Sequence, residues 1–337
     1  MTAAQPVATV LPESRYAEWE RLVAASPEGS PYATPSYLEV LCEATGGSYR
    51  VLAVEGDGEL LGGLAVYQES RRFGTVSEPR LLLFYNGVVL RGSVSKYPSE
   101  RSAKQVTALE ALEPALRGLR LDRLCLKQRS PLSDLRVFVH RGWRVAPTFT
   151  YVVRIGDLSA AWERVENNLR RLVRRGEREG LTISEDDDFD RFFALHLDTH
   201  RRKGAPLYLP EDRFARWFRR LRESGIARLF HARTHDGISV AAQIVLAGTH
   251  PVTHTVSAAA DEEAARKLGA NPFLRWKVFE ALSAAGYVAN DLTNAALDAV
   301  THFKSQLGGD LETCMTVALE DSPRMRWGRR LTGVRRS

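Results

Sequence analysis

The chain has 337 residues, 44% of them hydrophobic and 26% charged, which excludes a disordered protein and fits about two folded domains. Its 47 basic and 41 acidic residues give a net charge of +6, but the excess is local. Six arginines between residues 321 and 337 (Arg324, Arg326, Arg329, Arg330, Arg335 and Arg336) stand against Asp321 alone, so the rest is nearly neutral and offers no protein-wide polyanion surface. Cys42, Cys125 and Cys314 are too few and too far apart for a disulfide framework or a zinc ribbon, and suit a reducing cytosol. The opening MTAAQPVATV lacks the basic and apolar regions of a signal peptide, and no apolar run approaches the ~18 residues of a membrane span. A cytoplasmic location is expected.

Helical spacing runs over 14–25, through Trp19, Leu22 and Val23, and over 35–45, through Tyr37, Leu38 and Leu41. Two β runs, 49–55 and 59–68, are joined by Gly56-Asp57-Gly58, a hairpin signal because these residues tolerate the positive φ of a tight turn. Further strands are predicted at 80–90 and 120–127 with a helix at 99–117 between them, then a short helix at 132–140 and a strand at 143–154. The stretch 159–180 reads as one basic linker helix. Leu169, Leu172, Val173 and Gly176 follow i, i+3, i+4, i+7, flanked by Arg170, Arg174 and Arg178 on one side and Arg171 and Arg175 on the other.

The second half repeats the order of the first. Residues 57–66 align without a gap on 236–245, each a turn and then a strand with two small residues at one offset, Gly62-Gly63 and Ala241-Ala242. Pro35 and Pro210 each open a helix upstream. Downstream, a helix to Gly118 and a strand at 119–126 match a helix over 272–285, ending at Gly286, and a strand at 287–292. Each copy closes with an aspartate (Asp134 or Asp298), a short helix holding Phe138 or Phe303, a glycine and a last strand. Five elements in one order predict two copies of one α/β unit, 1–155 and 156–337.

Several chemistries are excluded. There is no GxxxxGK[ST], no GxGxxG after a strand and no GxSxG elbow. His196 and His200 fall four apart on a predicted helix, and His250 and His254 four apart in a predicted strand. Neither pair has the glutamate base and third ligand of helix-borne zinc chemistry, so no metal is expected. What remains is acyl transfer without a covalent enzyme intermediate.

The repeated unit resembles the GNAT N-acyltransferase fold, which implies mixed α/β sheets in two tandem acyltransferase domains joined by a basic helical linker. In that fold the donor pyrophosphate rests on N–H groups opening the long helix, where the unpaired donors and the helix dipole favour an anion. Arg266-Lys267-Leu268-Gly269-Ala270-Asn271 matches that position in the second copy, with Asn271 replacing a small residue; the first copy has Arg101-Ser102-Ala103-Lys104-Gln105-Val106 and no glycine. The resemblance therefore places a donor on the second copy.

Across nearly the whole chain, SPYATPSY at 30–37, NLRRLVRRGEREG at 168–180, HRRKGAP at 200–206, NPFLRW at 271–276, Asn290-Asp291-Leu292 and HFKSQLGG at 302–309 are similar to the Fem family of peptidoglycan aminoacyltransferases and the broader FemAB-like group. No sustained heptad is present, so the chain is similar to members without a coiled-coil arm. The resemblance implies aminoacyl-tRNA as donor, a peptidoglycan-precursor or peptide amine as acceptor on the side of the first unit, and no tightly bound cofactor.

On that basis Lys304, one of only seven lysines, is expected to stabilise negative charge on the attacked carbonyl oxygen, and Asp291 to orient or deprotonate the incoming amine. Arg170, Arg171, Arg174, Arg175, Arg201, Arg202 and Lys203 are candidates for gripping phosphate, and Tyr208 for lining the acceptor pocket. The tail 324–336, with Trp327 and Leu331 among its arginines, suits anionic lipid headgroups or tRNA phosphates. Two other functions fit the same residues: an acyl-CoA-dependent N-acyltransferase on a small molecule or polysaccharide precursor, and a non-catalytic double-GNAT protein that binds RNA or membrane.

Overall fold

A computed structural model describes residues 5–332 of the chain. It forms two compact units, one holding the sequence up to Thr148 and again from Thr313 onward, the other Phe149–Glu312. Of the tail arginines, Arg335 and Arg336, and the side chains of Arg329 and Arg330, lie outside the described residues.

The first unit opens with β1 (Val7–Val10), α1 (Tyr16–Ala25) and α2 (Pro35–Thr45). The apolar positions read from the sequence, Trp19, Leu22 and Val23 and then Tyr37, Leu38 and Leu41, are all buried. Thr34 caps α2 by accepting from the Tyr37 N–H, with Pro35 in the first turn. β2 (Ser48–Gly56) and β3 (Glu59–Arg71) pair antiparallel across a turn in which Asp57 and Gly58 are both left-handed. There follow β4 (Gly74–Ser77), β5 (Val89–Leu90), α3 (Pro98–Gly118), β6 (Arg123–Lys127), α4 (Arg136–His140) and β7 (Arg144–Arg154).

The strand expected at 80–90 is mostly irregular, with only β5 formed. Leu82 is left-handed, and Arg80 and Leu83 close a tight bridge. Beyond it, side-chain amides replace a ladder: Asn86 donates to the Cys125 carbonyl and accepts from the Lys127 N–H, and Gln128 accepts from the Val88 N–H. The segment is tied to its neighbour without being a strand.

The second unit contains α5 (Leu158–Arg164), α6 (Asn167–Arg178), β8 (Thr182–Glu185), α7 (Phe189–Lys203), α8 (Glu211–Glu223), β9 (Ala227–Arg233), β10 (Ser239–Leu246), β11 (Val252–Ala260), α9 (Glu262–Leu268), α10 (Ala270–Ala284), β12 (Ala289–Asp291) and α11 (Ala299–Ser305). The chain ends through β13 (Asp310–Ala318) and α12 (Pro323–Thr332). The predicted single linker helix is two helices. The break at Val165 and Glu166 is held by the Glu166 N–H donating to the Gln306 carbonyl and by the Gln306 side chain donating to the Glu166 carboxylate.

Strand order is β1-β2-β3-β4-β6-β13 in the first unit, with β5 on β3, and β7-β12-β11-β10-β9-β8 in the second. In each, two helices precede an antiparallel hairpin, and a long helix leads into a strand that runs parallel to its neighbour, β4 to β6 and β11 to β12. The repeat is therefore real, but its last strands are exchanged. Val152, Val153 and Arg154 of β7 pair with β12, whereas Thr316, Val317 and Ala318 of β13 pair with β6. The division expected at residue 155 thus gives way to one in which each unit is completed by the final strand of the other half of the sequence. The tail follows β13: Met325 is buried and Gly328 lies against the Phe73 ring, with Trp327 edge-on to that ring at 6.5 Å.

Candidate active site in the second unit

Helix α6 buries Leu169, Val173 and Gly176 against the second unit's core. At Gly176 a Cβ would meet the Phe273 ring of α10 at 2.8 Å, so the two helices lie in close contact there. That seam turns Arg170, Arg171, Arg174, Arg175 and Arg178 toward the other sides. Arg170 bonds the Asn167 side chain, Arg174 lies 5.9 Å over the Trp162 ring and Arg175 approaches the Lys267 carbonyl at 3.4 Å. Glu177 is taken by Lys277 at 2.9 Å, and among the described residues none of the five arginines forms an ion pair with a carboxylate.

The proposed donor motif spans a helix junction. Arg266 and Lys267 end α9, exposed, with Lys267 paired to Glu263 at 2.5 Å. Gly269 is left-handed between α9 and α10, and Ala270 is completely buried in the core. Asn271, half-buried, begins the outward stripe of α10. The glycine thus has a packing reason, because the Leu172 backbone of α6 crosses directly above it.

Asp291 ends β12 as expected, but points inward. Its carboxylate accepts from the Thr150 hydroxyl at 2.5 Å and the Thr293 N–H at 2.8 Å, and lies 3.5 Å from Nδ1 of the buried His254. At 1% exposure it is bonded to the loop that follows it. Lys304, on α11, donates to the carbonyls of Thr293 and Asn294, two consecutive left-handed residues of that loop. The ammonium and the strand end therefore share one loop.

At the end of α7, Arg201 pairs with Asp198 at 3.3 Å, and Lys203 is exposed. Arg202 is structural: it bonds the Ala260 carbonyl and Thr199 and pairs with Glu262, tying α7 to the end of β11. Tyr208 is packed edge-on to His196 at 5.0 Å and His200 at 5.3 Å, with its hydroxyl directed to the Val256 carbonyl at 3.4 Å. Burial raises its pKa. Burial, helped by His200, lowers that of His196 to about 3, so His196 is neutral at pH 7. Its Nδ1 contacts the Ser257 hydroxyl at 3.2 Å. Among the described residues no cluster of three His, Cys, Asp or Glu side chains could hold a metal ion.

Two features went unread in the sequence. Arg275, inside the NPFLRW segment, is only 7% exposed; its signal is a lone arginine between Leu274 and Trp276 on a helix apolar on most sides. In the first unit, a cavity of about 730 Å³ opens beside the start of α3, lined by Glu28, Arg91, Arg101, Ser102, Lys104 and Asp134.

Residues 163–305 match the family model described as acetyltransferase (GNAT) domain. The fold is a tandem GNAT fold. It is similar to the crystal structure of FemX, with 15% identity over 91% of this chain and 96% of that one and a TM-score of 0.72. It is also similar to L-PGS from Bacillus licheniformis, with 14% identity, 90% and 98% coverage and a TM-score of 0.56. A tandem GNAT protein from the clavulanic acid biosynthesis pathway shares 12% identity over 94% and 99% of the two chains, with a TM-score of 0.53. No curated protein sequence matches the chain. Among the described residues no helix is long and apolar enough to cross a membrane.

Proposed function

We propose that this GNAT-type acyltransferase moves an aminoacyl group from aminoacyl-tRNA to an amine of a peptidoglycan precursor or peptide. The observation that carries this reading is the face of α6. From Arg170 to Arg178 it extends about 12 Å along the helix and, among the described residues, no carboxylate pairs its guanidinium groups, a shape suited to a run of phosphates rather than one. The likeness in fold to FemX and to L-PGS supports the same direction.

The chemistry needs no enzyme nucleophile. An amine that has lost its proton to water attacks the ester carbonyl, and the Lys304 ammonium, fixed by two loop carbonyls, stabilises the oxyanion that forms; its collapse breaks the ester C–O bond, and the departing ribose oxygen takes up the proton that the new amide nitrogen sheds. Asp291 holds that loop in place. The first unit's cavity, with acidic and basic residues on its wall, receives the acceptor. The exposed Trp327 and Arg324 of α12 make a peripheral contact with anionic lipid on the cytoplasmic side.

A second reading, acyl-CoA as donor, is favoured by the GNAT acetyltransferase match over 163–305. Incubating the full chain with radiolabelled aminoacyl-tRNA or with acetyl-CoA, each with amine-bearing precursor peptides, separates the two. Label transferred from tRNA is expected; transfer from acetyl-CoA alone would replace the first reading with the second, and transfer from neither would sink both.

A further inference from the structure

Arg275 lies in the second turn of α10, flanked by Leu274 and Trp276, and is 7% exposed. Its Nε and Nη1 are buried without a hydrogen-bond partner, and among the described residues it forms no ion pair. Burial lowers its pKa to about 10, opposed by the nearby Tyr208 phenol, so it is still charged at pH 7. A buried cation with unfilled donors opposes folding, and such groups persist where a ligand completes them.

The neighbourhood has the same character. Tyr208 directs its hydroxyl to Val256 on β11, and the Ser257 hydroxyl lies between it and His196. His196 Nε2 and Gln243 Oε1 are also buried without partners. β11 is irregular at this point: its register with β10 shifts between Ile244 and Val245, leaving Val256 as an extra residue, and its parallel pairing with β12 stops at His254. Unfilled polar atoms thus occur on α7, β10 and α10, three elements that all pack against one bulged strand.

We propose that Arg275 anchors a carboxylate-binding site in the second unit, with the hydroxyls of Tyr208 and Ser257 beside it. One guanidinium among neutral groups is balanced by a monoanion, whereas a phosphate dianion would leave excess negative charge in apolar surroundings. The ligand class is therefore a substrate carrying a carboxylate. Occupancy is read without turnover, so the site stands or falls separately from acyl transfer.

Thermal unfolding of the full chain in sodium acetate, in sodium chloride and in inorganic phosphate, at equal ionic strength and pH 7, tests this. Acetate at ten times its Kd is expected to raise Tm by about 2 °C over chloride. Arg275→Met should unfold at the native temperature or above in chloride, having lost an uncompensated charge, and show no rise with acetate. Arg275→Lys should need at least about tenfold more acetate for the same rise. No acetate-specific rise in the native chain, or an equal rise in Arg275→Met, overturns the site. A larger rise with phosphate overturns the carboxylate assignment. Should Arg275→Met not fold, equal acetate dependence in the native chain and Arg275→Lys overturns the guanidinium's role.

Discussion

A Cβ on Gly269 would come within 2.6 Å of the Leu172 carbonyl oxygen. Gly269 also has φ +70, so two constraints, left-handed backbone and the passage of α6, act on one residue. Where a donor-binding glycine and a packing glycine would look alike in sequence, this contact assigns packing at least as a share of the reason.

Gly269→Ala is accordingly expected to lower stability by about 2–3 kcal/mol, from the left-handed penalty together with displacement of α6. Urea unfolding checks it. A loss below about 0.5 kcal/mol would mean that the helices can separate at no cost.

Charge reversal on α6 should act on binding and not on folding. Arg171→Glu with Arg174→Glu is expected to change stability by no more than about 1 kcal/mol, because among the described residues neither side chain has a carboxylate partner and only the contact of Arg174 with the Trp162 ring is lost. Affinity for aminoacyl-tRNA should fall, and the slope of log K against log salt should flatten by about 0.7–0.9 for each phosphate contact removed. An unchanged slope would take α6 out of the tRNA surface.

For Lys304 the expected outcome is a fall of about 10²–10³ in kcat for acyl transfer in Lys304→Met, with KM changed far less. Full activity in that variant would leave Lys304 as a loop tether only. Circular dichroism and unfolding of the variant distinguish loss of the loop from loss of the charge.

How much of this was legible beforehand depended on how local its cause is. The turn at Asp57 and Gly58, the capped start of α2 and the stripe of α6 rest on neighbours in sequence, and the sequence predicts them. The irregular stretch after Arg80 does not show, because Val88 is held by Gln128, forty positions away. Nor does the break before α6, which depends on Gln306, 140 positions from Glu166. Lys304 and Asp291 are each picked out by the resemblance, yet the loop they share does not show in the sequence, and the inward turn of Asp291 is set by Thr150 and His254, which no spacing links to it. Arg202 looks like a phosphate ligand in a basic cluster; only its bonds to Ala260 and Glu262 reveal a tether.

His196 makes the protein acid-labile. Its folded pKa is depressed from 6.5 to about 3 by burial, so the unfolded chain takes up a proton below about pH 6.5 that the native state refuses. Stability should therefore be unaffected by this group above pH 6.5 and fall by about 1.4 kcal/mol per pH unit on its account between there and about pH 3. Burial also lowers His231, in the same direction. In His196→Gln the pH dependence of urea unfolding should lose one proton's worth of slope over that window; an unchanged slope would show that His196 is protonated in the native state.

The exchange of last strands bears on how the molecule is made. During synthesis the first unit's sequence emerges early, but the far edge of β6 waits for Thr316, Val317 and Ala318, which follow the whole of the second unit in the chain. The unit begun first is therefore closed last, and its sheet edge stays open while the second unit assembles. Such a chain has all the strands of its second unit in hand before the strand that completes its first.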